Sequence, residues 1–151
     1  MMTIVDFQPE YAKAFKELNY EWINAYFQVE ESDQQVLEHP KEFILERGGL
    51  ILIALMNLEP VGTCALLKRA DKTYELAKMA VSPRAQRKGI GHQLVEEAIV
   101  RAKDLGASSI YLETNSVLKP AIQLYHKLGF KDISGPPSPY NRCNVQMKLM
   151  L

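Results

Sequence analysis

The chain has 151 residues, with 18 Lys and Arg against 18 Asp and Glu, so its formal charge is zero; 47% of its residues are hydrophobic and 24% charged. This is the composition of a single folded domain spanning 1–151, long enough to bury roughly 70% of the surface that the unfolded chain exposes. Scattered cations on a neutral chain exclude the electrostatic footprint of a nucleic-acid binder, and the most apolar run, Leu50 to Met56, falls far short of the roughly 20 residues that cross a bilayer.

The N-terminal stretch carries Asp6 and Glu10 and no apolar run that could serve as a signal-peptide core, which predicts a cytoplasmic protein. From Glu10 to Phe27, apolar residues recur at three- and four-residue steps, as in a long or broken amphipathic helix. Within and after it, Trp22, Tyr26, Phe27 and the acidic Glu30, Glu31 and Asp33 combine aromatic surface with negative charge. That combination reads either as a surface for an ammonium-bearing ligand or as core aromatics beside a solvated acidic turn. A helical piece from Lys41 to Glu46 follows, opened by Pro40 and closed by Gly48-Gly49.

Leu50 to Leu55 and Val61 to Leu67 form a hairpin around a short segment with Asn57 and Pro60, and Thr73 to Val81 is a third strand. Ile90, Leu94, Val95, Ala98, Ile99 and Ala102 mark one face of a helix that Gly106 ends. Ser109 to Leu112 is a further strand. A helix opened by Pro120 and stopped before Gly129 follows, and Phe130 to Ile133 and Cys143 to Leu151 are the last strands. Strands alternating with helices in the second half imply a mixed α/β sheet with helices on its faces. Cys64 and Cys143 have neither a CxxC partner nor His at ligand spacing, which predicts two free thiols and no metal site.

The stretch from Val81 to Gly91 places Arg84, Arg87 and Lys88 with Gly89 and Gly91 at a helix start. A first helical turn has N–H groups without internal partners and the positive end of the helix dipole, so it suits phosphate oxygens. Glycines there serve close ligand approach or merely tight packing. Neither GxGxxG nor GxxxxGK[ST] is present. The pattern that does match is QxxGxG, with Gln86, Gly89 and Gly91 directly after a strand ending in Met79-Ala80-Val81.

This stretch resembles the GNAT superfamily of N-acetyltransferases. The strand Tyr74 to Pro83 and the block Ala121 to Phe130, with Leu124-Tyr125 before Leu128-Gly129-Phe130, are similar to the family's two further signatures at its usual separation. The resemblance covers roughly Gly48 to Phe130. It implies a GNAT-like fold, a central, mostly antiparallel sheet flanked by helices, and acetyl-coenzyme A as cosubstrate with no metal. It further implies a small-molecule or peptide amine as acceptor and allows a homodimer. Backbone amides of Arg87, Lys88, Gly89, Ile90, Gly91 and His92 would hold the coenzyme pyrophosphate, and those of Met79 and Val81 the pantetheine arm. The helical N-terminus falls in the family's variable acceptor region.

A lysine-like amine has a pKa near 10.4, so presenting it neutral at pH 7 costs roughly 4 to 5 kcal/mol unless a base assists. Under simple alternation Glu75 shares a strand face with Ala77, Met79 and Val81, an apolar setting that raises a carboxyl pKa toward that task. The resemblance places the family's occasional catalytic glutamate there. The alternatives are a sheet-edge glutamate paired with Lys68 or Arg69, or a local bulge that turns Glu75 away. Tyr125 is by resemblance the hydroxyl donor to the leaving thiolate, although on its helix stripe it also suits the core. Where the family often carries Asn, this chain has Leu118; Asn115 either substitutes for it or caps a helix. Arg142, beside a Pro-rich loop, could clamp an acceptor carboxylate or form a salt bridge. Beside the transferase reading stands a non-catalytic acyl-coenzyme A sensor, which would bind the coenzyme without turnover.

Overall fold

The computed structural model describes all 151 residues. Its first element, strand β1 (Met2–Asp6), is absent from the pattern reading. It is short, and its partner lies some fifty residues on: β1 runs antiparallel to β2 (Leu50–Met56), with Met2 opposite Met56. Local periodicity carries no sign of so remote a pairing.

A 3-10 turn, Pro9–Tyr11, leads into α1 (Ala12–Tyr26), which buries Phe15, Asn19 and Ile23 at four-residue steps. The acidic patch that follows is not a solvated turn. It opens α2 (Glu31–Glu38) through a reciprocal cap, in which the Glu30 side chain accepts the Asp33 N–H and Asp33 Oδ2 accepts the Glu30 N–H at 2.9 Å. A π-helical turn, Lys41–Leu45, follows. The chain then swings into β2 at Gly49, where a Cβ would lie 2.3 Å from the Leu66 carbonyl oxygen.

Strand β2 turns into β3 (Glu59–Lys68) through Asn57 and Leu58 alone, both left-handed at φ 51° and 70°. This is the two-residue connection whose twist suits a hairpin. Pro60 therefore falls inside β3 rather than in the turn, next to a register shift between Ala54 and Leu55. Strand β4 (Thr73–Val81) has the expected bounds but not the expected alternation. Ala65 faces Ala77 and Thr63 faces Ala80, so β4 carries one residue more than β3 across this step. The bulge sits at Lys78, whose φ is 54°. It corrects the face assignment: Glu75 and Ala77 stay on the side of α1 and α2, whereas Met79 and Val81 pack on the opposite side.

A 3-10 turn at Pro83–Ala85 precedes α3 (Ile90–Asp104), which carries the chain back to β5 (Ser109–Thr114), parallel to β4. Helix α4 (Lys119–Lys127), β6 (Lys131–Ile133) and β7 (Val145–Met150) complete the chain. The seven strands lie in the order β1-β2-β3-β4-β5-β7-β6, antiparallel except for β4 with β5. One core, with Leu52, Leu66, Leu94, Ile110 and Met147, lies under α3 and α4; a second, with Phe15, Ile23, Leu37 and Ile53, lies under α1 and α2. Each large side chain so buried contributes about 1.5–3 kcal/mol. No helix is long and apolar enough to cross a membrane.

Because the space beside Gly49 is closed by backbone rather than by a movable side chain, Gly49→Ala is expected to cost about 1–3 kcal/mol. A lowered urea midpoint with an unchanged slope would register this loss.

Candidate active site

Strands β4 and β5 pair only through Thr73, Tyr74 and Glu75, then part. Beyond Glu75 the β5-facing edge of β4 is unpaired to Val81, and a cleft of about 710 Å³ opens between the strands. Helices α1, α3 and α4 and the segment 140–143 complete its walls. Met79 and Val81 line it, so the strand edge presents unpaired backbone groups to whatever enters.

At one end of the cleft the chain passes from β4 into α3. Gln86 Nε2 donates to the Val81 carbonyl at 3.3 Å and ties the loop back to the strand. Arg87 and Gly89 are left-handed, at φ 65° and 77°. Consecutive backbone N–H groups from Arg87 to His92 donate to no protein acceptor; the first helical bond belongs to Gln93, which donates to the Gly89 carbonyl at 3.1 Å. Such a row of donors at a helix start is an anion site in form. Gln86, Arg87, Gly89, Ile90, Gly91 and His92 line the cleft, whereas Lys88 does not. The His92 ring is paired with Glu96 at 3.0 Å.

Tyr125 enters from α4. It is 7% exposed and packs edge-on against Phe130, and its hydroxyl bonds to no protein group while its ring lines the cleft. Burial, with the Cys64 thiol nearby, pushes its pKa well above the ordinary tyrosine value. The phenol therefore keeps its proton throughout the neutral range, as a donor. Cys64 itself is sealed beneath α3, and burial pushes its thiol up to about 12. Asn115 serves local structure: its amide donates to the Arg142 carbonyl at 2.6 Å and its oxygen accepts the Val117 N–H at 2.9 Å. Leu118 occupies the cap position of α4 and lines the cleft.

Glu75 stands where the strands part, 5% exposed. Of the two cations proposed to pair with it, Arg69 does: its Nε donates to Oε1 at 2.8 Å and Nη2 donates to the same oxygen. Burial pushes the Glu75 carboxyl up and the nearby Glu113 charge adds to that, while Arg69 and Lys78 oppose it; the net pKa is above the ordinary value. Glu113, on β5, is a cleft residue that the sequence reading missed. It accepts hydroxyls from Tyr111 at 2.7 Å and Ser138 at 2.8 Å.

On the α1 side the cleft meets a buried charge cluster. Asp33, fully buried, accepts both terminal nitrogens of Arg142 at 2.6 and 2.7 Å and the Lys78 ammonium at 3.2 Å. Lys78 also donates to the Tyr140 hydroxyl at 3.1 Å. Arg142 lies over the rings of Tyr140 and Trp22, 4.6 and 5.9 Å from their centroids. Both terminal nitrogens expected to clamp a ligand carboxylate are thus already committed to Asp33. Glu30 sits behind Arg142 at 3.4 Å and does not line the cleft; Trp22, Tyr26, Phe27 and Arg142 do. Of the acidic residues singled out for an ammonium ligand, Asp33 and Glu30 serve the protein's own cations instead, and Glu31 is exposed. Burial alone would raise the Asp33 pKa, but Arg142, Lys78 and the Glu30 N–H outweigh it and hold the carboxyl below 3.8. Lys78 escaped the sequence reading because no glycine marks where a bulge in this strand would fall.

A family described as acetyltransferase (GNAT) matches residues 16–130. An uncharacterised N-acetyltransferase of Bacillus subtilis is 41% identical over 87 residues, which are 58% of this chain and 56% of that protein. The chain spans about half the length of the curated relatives it matches. Among solved structures, a GNAT-family acetyltransferase from Staphylococcus aureus Mu50 superposes with a TM-score of 0.90 at 23% identity, covering 98% of both chains. A Bacillus subtilis acetyltransferase in complex with coenzyme A gives a TM-score of 0.76 at 27% identity, covering 100% of this chain and 99% of that one.

Removing the carboxylate from the cluster leaves the buried Lys78 ammonium without a counter-charge and Arg142 with Glu30 alone, at 3.4 Å, so Asp33→Asn is expected to cost about 3–5 kcal/mol at neutral pH. Because the native Asp33 pKa lies below its unfolded value of 3.8, its contribution is complete above 3.8 and fades as pH falls through the lower native value. Denaturation curves of wild type and variant should therefore converge in acid. A constant gap down to the acid unfolding limit would exclude Asp33 as the source.

Proposed function

Because the chain belongs to the acetyltransferase (GNAT) family, we propose that it is an acetyl-coenzyme A dependent N-acetyltransferase. In this reading it moves the acetyl group to a primary amine of a small molecule, amino acid or peptide, by direct transfer in a ternary complex. The observation that carries the reading is the row of unpartnered N–H groups from Arg87 to His92, continuous with the unpaired edge of β4. A cleft built in this way fits a ligand with a diphosphate at one end and a hydrogen-bonding arm along its length.

The coenzyme would supply the acetyl group as an activated thioester. The N–H groups from Arg87 to His92 would hold its diphosphate, and the backbone of Met79 and Val81 its arm. Tyr125 would give a hydrogen bond, and then a proton, to the departing sulfur. A phenol that stays protonated at neutral pH and has no protein partner is available for that work. Glu75 would take a proton from the acceptor ammonium, directly or through water; its raised pKa narrows the gap to the amine. Trp22, Tyr26, Phe27 and Arg142 would wall the acceptor, with Arg142 fixed by Asp33 rather than swinging as a clamp. Most of the rate gain would come from holding the two substrates together.

The direct test is thiol release from acetyl-coenzyme A with panels of amino acids, peptides, polyamines and aminoglycosides. Acceptor-dependent release is expected; coenzyme binding with no release across the panels would favour a sensor instead. Tyr125→Phe is expected to lower kcat by about 100-fold, at the modest end of general acid catalysis, with coenzyme affinity unchanged by calorimetry. A loss of thermal stability at constant kcat would return Tyr125 to a packing role.

A further inference from the structure

We propose that Arg69 is a positioning residue, whose guanidinium holds Oε1 of Glu75 so that Oε2 is offered to the cleft as a carboxylate oxygen. The proposal rests on the reading of Glu75 as the proton acceptor. Arg69 lies just beyond β3, on the tight connection to β4, and its backbone is fixed there: its N–H donates to the Thr73 carbonyl at 2.8 Å, closing a turn in which Asp71 and Lys72 are left-handed. Two nitrogens of one rigid fork, Nε and Nη2, converge on Oε1. Oε2 has no protein partner, and Glu75 lines the cleft. The two oxygens of the carboxyl are thereby differentiated, one anchored and one free to meet a proton.

Other charged or titratable groups face this carboxyl from the elements around it. Glu113 and Tyr111 stand on β5, the latter opposite Glu75 in register. Lys78 lies further along β4, but its ammonium is turned to Asp33 and Tyr140. Arg69 is therefore the one cation bonded to Glu75, against burial and the Glu113 charge, both of which favour the protonated acid. Without Arg69, the group would be neutral over a wider range and its anchored oxygen would be released. Arg69 is itself 52% exposed, so its replacement removes a charge without opening the core, and solvent screening moderates its pull.

The test is a carboxyl-carbon NMR titration of protein labelled at glutamate side chains, with the Glu75 signal assigned by its loss in Glu75→Gln. In Arg69→Gln the Glu75 midpoint is expected to rise by about one pH unit, at the low end of what an adjacent cation supplies. Arg69→Lys should restore part of the difference, since it returns the charge without the fork. With an acceptor from the panels above, the acid limb of the kcat/KM profile should rise by the same amount. An unchanged Glu75 midpoint in Arg69→Gln, with the variant melting like wild type, would overturn the proposal. Failure of the base reading is separable: Glu75→Gln would retain full turnover, while the titration still reported whether Arg69 holds that carboxyl.

Discussion

Strand β4 pairs with β5 for three residues only, and the cleft of the molecule follows from where that pairing stops. A strand inside a sheet normally has both edges occupied, because unpaired buried N–H and C=O groups are costly. Here one edge of β4 is held by β3 along its length while the other is released after Glu75. The released edge, the helix start beyond it and the carboxyl at the point of divergence fall in one line. Such an edge leaves main-chain donors and acceptors open along the cleft.

Beside the point where the strands part lies the buried charge cluster. Asp33 from α2, Lys78 from the β4 bulge and Arg142 from the segment before β7 come from three distant parts of the chain. Their desolvation is expensive, which makes the cluster weak evidence for stability as such. Its effect is geometric. A left-handed lysine costs on the order of 1–3 kcal/mol, and the contacts of its ammonium with Asp33 and Tyr140 favour the bulged conformation over a regular strand. The bulge in turn moves Met79 and Val81 to the face opposite Glu75.

Much of this was legible in the residues themselves. The bounds of β4, the glycines before α3 and the apolar stripe of α3 are local signals, and the structure carries them as read. The run from Gln86 to His92 stands out by its glycines and cations at a helix start together with the family resemblance; all of it but Lys88 lines the cleft. What escaped were features decided at long range. Strand β1 is defined by a partner fifty residues away, and its one local sign, the β-branched run Thr3 to Val5, is too short to fix it. A bulge in β4 is an open alternative in the sequence, but its position at Lys78 involves no glycine and is set by register with β3. Asp33 reads as a surface acid until Lys78 and Arg142 are brought to it, and the same contact withdraws both terminal nitrogens of Arg142 from ligand recognition. Glu113 became visible only when β5 was laid beside β4.

The donors from Arg87 to His92 belong to the main chain, which has a consequence for how the chain can vary. A substitution at Arg87, Lys88 or His92 changes the side chain and leaves the N–H group in place. At Gly91 an added methyl would come no nearer than 3.7 Å to its neighbours, so the protein itself has room for it. Gly89 is constrained by its backbone angle rather than by crowding, since nothing lies within 4 Å of a Cβ there. Inheritance of the anion site therefore depends on the path of the chain more than on its side chains. Lineages could diverge widely through this loop, re-charging or re-shaping its surface, while the row of open main-chain donors passed through unaltered.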